Sequence, residues 1–248
     1  MIRLQRPLRP QKLRRAAHAA TEKLWAAWRA GGPLIANRTI YADPGVKTAL
    51  RTAQHDKCAF CETTNPSAHG VVEHYRPKDG WRQKRRDPLQ KPEYFWLAYD
   101  WENLLFACDV CNDRSHKENL FPLADPAKRA TAALPDIAVE TPLLVNPYGP
   151  LDPEEHINWD SDVPKPRNGS PYGKETIGVL GLDRDGRRAD FRRAHLQGLE
   201  KQLQRVENLK PDNPDRPGLV TDFRRVLNDE APWAAMIRAN FGVRIRAL

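Results

Sequence analysis

Two short cysteine pairs constrain the fold of this 248-residue chain more than any other feature. Cys58 and Cys61 form one Cys-x2-Cys pair, and Cys108 and Cys111 form the second. Each pair makes a tight turn that presents two sulfurs in one direction, so the two pairs supply four thiolates at the corners of a tetrahedron. Four thiolates close the coordination shell of Zn²⁺ and leave no open position. The pattern therefore predicts a structural zinc ion that ties the two pairs together.

Disulfide and redox chemistry explain the four cysteines less well. Disulfide frameworks are typical of exported chains, and no apolar segment with a cleavage site marks this N-terminus for export. Neither pair lies in a recognisable βαβ unit, which is the setting of thioredoxin-like redox motifs. No apolar run approaches the roughly 20 residues that span a bilayer. We therefore expect a soluble, cytoplasmic protein.

The positive charge is concentrated near the N-terminus. Residues 1–30 hold eight Lys or Arg side chains and one acid, Glu22, so they carry most of the net charge of +8. The composition resembles a transit peptide, but Leu24, Trp25 and Trp28 share one helical face, which favours a packed helix. A basic chain is compatible with a polyanionic partner, although charge confined to one arm is weak evidence for it.

Hydrophobic periodicity predicts helices at both ends of the chain and short elements around the cysteines. Val71–Arg76 is a β-branched run that stops at Pro77 and indicates a strand. Residues 112–119 should form a short helix, and the proline-rich stretch 125–176 should be mostly loop. The longer predicted helices cover residues 11–30, 44–56, 189–209, 219–227 and 232–241.

Polar residues between and after the cysteine pairs form a second pattern. Glu73 and His74 end the predicted strand, Asn103 precedes the second pair, and Asn112 directly follows it. Eight residues separate the two asparagines. This order resembles the HNH, or ββα-metal, nuclease motif in its form with a four-cysteine zinc site.

Several longer stretches of the sequence narrow the resemblance to one group of HNH proteins. The stretches are Cys58-Ala-Phe-Cys-Glu, Glu73-His-Tyr-Arg-Pro-Lys and Cys111-Asn-x3-His-Lys-x3-Phe-Pro. They are similar to the HNH proteins of Septu-type and retron-associated antiphage defence systems, over roughly residues 55–195. The resemblance implies the nuclease effector of such a system, working with a separate ATPase. The chain itself has no Gly-x4-Gly-Lys phosphate loop.

The resemblance also implies a role for each polar residue. His74 matches the general base that takes a proton from the attacking water, and Asn103 matches the residue that holds the His74 loop. Glu73 and Asn112 match the two ligands of a catalytic cation. Both offer oxygen, so the site should favour Mg²⁺ or Mn²⁺. His116, one turn beyond Asn112 on the predicted helix, is an alternative ligand.

Adjacent residues of a strand face opposite sides of a sheet. Glu73 and His74 can therefore share one site only if they straddle it or if the strand bends there.

Basic residues near this motif are candidates for contacts with nucleic-acid phosphates. The closest in sequence are Arg76, Lys78 and Lys117. Arg82, Arg85 and Arg86 lie in a basic insertion at residues 79–93, which could grip the backbone or could simply be a solvated loop. A later helix carries a further group that suits a phosphate ridge or a partner surface: Arg187, Arg188, Arg192 and Arg193.

The predicted fold class is α+β, with a small zinc-stapled ββα-metal core embedded in a mainly helical, loop-rich protein. We expect a basic helical region (1–54), a nuclease core (55–125) and a segment of loops and C-terminal helices (126–248). The expected activity is metal-dependent cleavage of DNA. The alternatives are cleavage of RNA, including tRNA, and a zinc-stabilised binding module without activity. Loss of cleavage on changing His74 would distinguish an enzyme from a binding module.

Overall fold

The computed structural model describes residues 1–64, 70–92, 94–184 and 186–248, and the side chain of Arg187 lies outside this description. Within these residues the fold is α+β, with helices around two small antiparallel sheets of two strands each. None of the described helices is both long enough and apolar enough to cross a lipid bilayer.

The first helix, α1 (Gln11–Arg29), forms because its apolar residues repeat at the spacing of one helical face. This face buries Leu13, Ala17, Ala20 and Leu24. The chain leaves the helix through Gly31, whose φ of 66° is a left-handed conformation that costs glycine little. The predicted helix over residues 11–30 is confirmed.

Two helices connect α1 to the cysteines. The first, α2 (Arg38–Tyr41), is a single turn that was not predicted, and the Asn37 side chain caps it. The second, α3 (Pro44–Ala53), begins where the Asp43 side chain accepts a backbone hydrogen bond, and proline suits its first turn. The helix predicted over residues 44–56 is confirmed as far as Ala53.

A small sheet and a one-turn helix lie at the centre of the fold. Strands β1 (Val71–His74) and β2 (Leu104–Ala107) pair antiparallel, and α4 (Asp109–Asn112) follows directly. The predicted strand ends two residues early, because the backbone N–H of Arg76 bonds to the Asn103 side chain rather than to a strand.

Both faces of this sheet are buried, which ties it firmly into the fold. Side chains alternate along β2, so Leu105 and Ala107 join one hydrophobic cluster, whereas Leu104 and Phe106 join another. The first cluster also holds the four cysteines, and the second holds the buried face of α1. A third cluster joins the C-terminal helices to Trp159.

The helix predicted over residues 112–119 is wrong in its position. Helix α4 ends at Asn112, and Asp113 takes an extended conformation with a ψ of 160°. The Asp113 carboxylate accepts hydrogen bonds from the backbone N–H and the hydroxyl of Ser115. Short polar side chains that capture nearby backbone groups in this way compete with helix formation. His116 therefore does not continue a helix face from Asn112.

In the described residues of the second half, the chain forms a hairpin that was not predicted, one helix of a single turn and four longer helices. The hairpin pairs β3 (Ile157–Asp160) with β4 (Val163–Pro166). The helices of this half are α5 (Pro153–His156), α6 (Pro171–Leu180), α7 (Gly186–Glu207), α8 (Arg216–Arg225) and α9 (Ala234–Ala247). The last three correspond to the predicted C-terminal helices, shifted at their ends by two to six residues.

Helix α6 packs against the hairpin at a position that only glycine permits. A Cβ atom at Gly173 would lie 2.0 Å from the carbonyl oxygen of His156. The close approach brings α6 onto the hairpin, and the chain then leaves α6 through Gly181 in a left-handed conformation. This path carries the chain back toward the cysteines, where α7 begins.

Candidate metal centre and adjoining cleft

The four cysteines form one buried cluster. Their sulfur atoms all lie within 4.8 Å of one another, and the Sγ atoms of Cys61 and Cys108 are 3.7 Å apart. Sulfurs at about 2.3 Å from a tetrahedral zinc would be about 3.8 Å apart, so the cluster has the size that zinc needs. The pairing of β1 with β2 brings the two cysteine pairs together, and α4 carries Cys111. The four sulfurs therefore come together as the cysteine spacing predicted, and the cluster fits a structural zinc ion.

The electrostatics of the cluster favour a cation among the sulfurs. Hydrogen bonding by Cys108, and then by Cys111 and Cys58, lowers the pKa of the buried Cys61 thiol. The hydrogen bond with Cys108 instead raises the pKa of Cys111 well above its usual range. Neighbouring thiolates disfavour one another in a buried site, and a divalent cation removes this penalty.

Two of the four α7 arginines proposed for a phosphate ridge or partner surface, Arg188 and Arg192, face inward, which corrects the prediction for these two. Arg188 is 6% exposed, and its Nη1 donates to the Sγ of Cys111 over 3.1 Å. Arg192 is 1% exposed and donates to backbone carbonyls, and Arg193 pairs with Asp162. Arg188 thus supplies positive charge to the thiolate cluster.

A separate cleft of about 410 Å³ runs along β1. Glu73, His74 and Asn112 all line it, so the structure brings three of the predicted site residues to one surface. Glu73 and His74 can both reach this surface because the strand ends at His74 and the chain bends over the next two residues. Asn103 lies outside the cleft lining.

His74 is held in one orientation at the edge of the cleft. Its Nε2 lies 2.9 Å from the carbonyl oxygen of Ala98, so this nitrogen carries the proton and Nδ1 carries the lone pair. Burial lowers the pKa of His74 to about 3, and the charges of Lys78 and Lys117 act in the same direction. The ring is therefore neutral at physiological pH, and its Nδ1 carries a lone pair rather than a proton.

Glu73 is paired with a buried lysine. The Nζ of Lys117 donates to Glu73 Oε1 over 2.6 Å and to the carbonyl oxygen of His74 over 2.7 Å. The Lys117 side chain is fully buried, so it does not present the exposed amine that a phosphate contact requires. Among the described residues, nothing hydrogen bonds to the second carboxylate oxygen of Glu73, which leaves Oε2 for a ligand in the cleft.

Asn103 organises the backbone that follows His74. Its Oδ1 accepts a hydrogen bond from the Arg76 N–H over 2.7 Å, and its Nδ2 donates to the Arg76 carbonyl over 3.0 Å. Nδ2 also donates to the carbonyl of Leu97, and the Asn103 carbonyl accepts from the Tyr75 N–H. One buried amide therefore ties the bend after β1 to the segment that leads into β2.

The two alternative ligands lie on different surfaces. Asn112 lines the cleft with Glu73, and its side chain makes no hydrogen bond within the described part of the chain. His116 lines another depression, with its Nδ1 2.9 Å from the Ser115 hydroxyl and its ring against Gly181. The end of α4 at Asn112 separates the two. The placement favours Asn112 as the partner of Glu73.

Most of the basic residues proposed for phosphate contacts are held by other groups. Arg76 pairs with the buried Glu140, and Lys78 pairs with Asp79 at the cleft. In the insertion, Arg82 pairs with Glu118. Arg85 donates to the carbonyls of residues 114, 116, 178 and 179, and Arg86 is exposed.

Helix α2 also belongs to the site, and no sequence pattern indicated it. Arg38 and Tyr41 line the cleft, and the Tyr41 ring packs edge to face on His74 with 4.7 Å between centroids. A single helical turn leaves no periodic pattern in a sequence. The only local signal is Asn37, a residue type that commonly caps helices.

The chain is similar to a protein named Septu protein PtuB from Bacillus mycoides strain KBAB4, with 38% identity over 146 residues. The similarity covers 58% of this chain and 48% of that protein, so the chain spans about half the length of the curated relative that it matches. No family model and no solved structure matches the chain. The similarity supports the resemblance to Septu-type proteins that the motifs indicated.

Proposed function

We propose that this chain is an HNH endonuclease that uses a divalent metal to hydrolyse phosphodiester bonds, with DNA as the favoured substrate. The observation that carries the proposal is the cleft that Glu73, His74 and Asn112 line together. A neutral imidazole, a carboxylate and an amide oxygen on one surface are the groups that metal-assisted hydrolysis requires.

The local architecture supports the same activity. Strands β1 and β2 and helix α4 follow one another in the order of a ββα-metal motif, and the thiolate cluster holds the end of β2 and both ends of α4. In this proposal residues 55–125 form the nuclease core. Residues 1–54 and 126–248 are the flanking parts that pack on it.

His74 is the general base of the proposed reaction. Its Nε2 proton is committed to the Ala98 carbonyl, so Nδ1 takes the proton from the attacking water. A pKa of about 3 makes the ring a weak base in the protein alone. The negative charge of a bound phosphodiester would act against this lowering of the pKa.

Glu73 and Asn112 would hold the catalytic cation. Both offer oxygen, and neither Glu73 Oε2 nor the Asn112 amide has a hydrogen-bonding partner among the described residues. Oxygen ligands suit Mg²⁺ or Mn²⁺, which would polarise the phosphoryl oxygen and stabilise the leaving oxygen. Lys117 holds Glu73 Oε1 in place, and Asn103 holds the bend after His74.

The proposed biological role is that of a nuclease effector in a cytoplasmic antiphage defence system. The similarity to a Septu protein PtuB and the motifs of residues 55–195 support this role. The proposal includes a separate ATPase partner, which the resemblance to Septu-type proteins implies and which fits the absence of a Gly-x4-Gly-Lys phosphate loop from this sequence. RNA is the alternative substrate, since hydrolysis by a metal-activated water needs no 2′-hydroxyl.

A binding module without activity is the second candidate function. The buried pair between Lys117 and Glu73 favours it, because a lysine ammonium already neutralises the carboxylate. In that case the thiolate cluster and the cleft would stabilise a surface for nucleic acid or protein, and His74 would be a satisfied core histidine.

The two candidates are separated by a cleavage assay. The purified chain, alone and with its ATPase partner, is incubated with plasmid, single-stranded DNA and tRNA in Mg²⁺ or Mn²⁺, beside His74→Ala. The nuclease predicts metal-dependent cleavage that falls by about 10²–10⁴-fold in His74→Ala while zinc content persists. Cleavage that is unchanged in His74→Ala, or no metal-dependent cleavage in any of these mixtures, contradicts the proposal.

A further inference from the structure

The helix α2 forms part of the cleft although it precedes the cysteines by about 20 residues. Arg38, Tyr41 and Ala42 contribute to the lining. The helix is anchored from behind: it packs on α1, and the backbone N–H of Asn37 donates to the Tyr99 hydroxyl over 2.5 Å. Its position relative to the cleft is therefore fixed by the core.

The same short segment anchors both α2 and His74. Ala98 accepts the hydrogen bond from His74 Nε2, and the next residue, Tyr99, accepts the bond from Asn37. The Tyr41 ring then closes on the His74 ring at 4.7 Å with an interplanar angle of 69°. The imidazole is therefore held by two groups: the Ala98 carbonyl accepts its Nε2 hydrogen bond, and the Tyr41 ring packs against it.

Arg38 differs from the other basic residues around the cleft. It is exposed, and within the described part of the chain no carboxylate or carbonyl accepts a hydrogen bond from its guanidinium. The neighbouring basic residues, in contrast, are each paired with an acid: Lys78 with Asp79, Arg82 with Glu118, and Lys117 with Glu73. Arg38 therefore offers the cleft an uncommitted planar group that suits a phosphate.

We propose that α2 is the substrate-binding element of the nuclease: Arg38 contacts a backbone phosphate of the bound strand, and Tyr41 positions His74. The inference deepens the proposed nuclease function and rests on it. Arg38 contributes affinity without reading sequence, because phosphate contacts position a nucleic acid but carry no base information. Tyr41 acts only through the His74 ring and is a positioning residue.

The Arg38 contact is tested by binding rather than by activity. Anisotropy of a labelled DNA duplex is measured over a range of salt concentrations in a His74→Ala background, which prevents turnover. Arg38→Gln should reduce the slope of log affinity against log salt by about 0.9, the loss of one phosphate contact. Arg38→Lys should keep most of that slope.

Arg29→Gln is the matched control, since Arg29 is an exposed arginine at the end of α1 that does not line the cleft. Its slope should stay at the parent value. Equal slopes for Arg38→Gln and Arg29→Gln would overturn the inference, as would a parent chain that does not bind the duplex.

Tyr41 is tested by separating turnover from affinity in the active chain. Tyr41→Ala should lower kcat by about ten- to a hundredfold, because the base His74 is misplaced, and should leave KM nearly unchanged. Tyr41→Phe keeps the ring and should have nearly the parent kcat. A loss of kcat in Tyr41→Phe equal to that in Tyr41→Ala would exclude a positioning role for the ring.

The outcomes also separate this inference from the nuclease itself. If the chain cleaves DNA but Arg38→Gln binds like Arg29→Gln, the nuclease stands and the role of α2 is wrong. If the chain binds through Arg38 but never cleaves, α2 is the surface of a binding module and the positioning role of Tyr41 is wrong.

Discussion

The thiolate cluster and the cleft share one supporting element but have opposite chemical character. Cys111 and Asn112 are adjacent in α4, yet the Cys111 sulfur is buried among three others, whereas the Asn112 side chain lines the cleft. Four soft thiolates in a closed shell suit zinc, and oxygen ligands in an open cleft suit a harder cation. Burial and ligand type, rather than position in the chain, set this difference.

The shared helix makes the cleft dependent on the cluster. A single turn of helix has little stability of its own, so α4 keeps its place because Cys108 and Cys111 are held at its two ends. Asn112 follows directly from this anchor. The cluster should therefore control both the stability of the fold and the geometry of the cleft, whereas changes in the cleft should leave the cluster intact.

Removing the thiolate cluster should have the largest effect. Cys58→Ser combined with Cys111→Ser should abolish zinc binding and cooperative unfolding, because a structural zinc site contributes an apparent 10–16 kcal/mol, roughly, to folding. Zinc content and thermal unfolding are the measurements. His18→Ser, an exposed position on α1, is the control and should retain zinc. A folded, cooperative double variant without zinc would show that the cluster is dispensable.

Breaking the buried pair in the cleft should have the next largest effect. Lys117→Met leaves the Glu73 carboxylate buried without its cation, and should lower the free energy of unfolding by about 3–5 kcal/mol. Adding Glu73→Gln should recover most of this loss, since a neutral amide needs no cation. Urea unfolding measures both.

Lys78→Met serves as the comparison for the lysine change. Its partner Asp79 is exposed, so the cost should stay below about 1 kcal/mol. If Lys117→Met has the parent free energy of unfolding but binds DNA more weakly, Lys117 is a phosphate contact and the buried pair does not stabilise the fold.

Removing the arginine beside the cluster should have a smaller effect. Arg188→Gln takes away the guanidinium that donates to Cys111, and should weaken zinc affinity by about 10–100-fold, as is usual for groups that contact metal ligands. Competition with a chelator gives the affinity. Arg193→Gln, the same change on the same helix away from the cysteines, should retain the parent affinity. Equal affinities for the two variants would argue against any role for Arg188 at the cluster.

Sequence patterns predicted the parts of the molecule that depend on local spacing. The cysteine pairs indicated the cluster because each pair fixes two sulfurs by itself, and the apolar repeat of residues 11–30 indicated α1. The HNH-like order placed Glu73, His74 and Asn112 together, and the three do line one cleft. Each of these predictions uses residues that are close in sequence or a motif with fixed spacing.

The features that the sequence did not predict depend on contacts between residues that are distant in the chain. The pairing of Lys117 with Glu73 joins positions 44 residues apart, and neither neighbourhood records it. Arg38 and Tyr41 reach the cleft only because the core holds α2 there. Strand β4 contains two prolines, which disfavour a strand by propensity, yet it pairs with β3 at the edge of a two-stranded sheet.

The most direct test of two metal sites with opposite character is a Mn²⁺ titration of the zinc-loaded chain, followed by electron paramagnetic resonance. We expect one bound Mn²⁺ that Mg²⁺ displaces, while one zinc per chain remains. Glu73→Gln and Asn112→Ala should weaken Mn²⁺ binding by at least about tenfold without loss of zinc, and His116→Ala should not. If Mn²⁺ displaces the zinc, or binds the parent chain, Glu73→Gln and Asn112→Ala equally well, the chain does not hold two metal sites of opposite character.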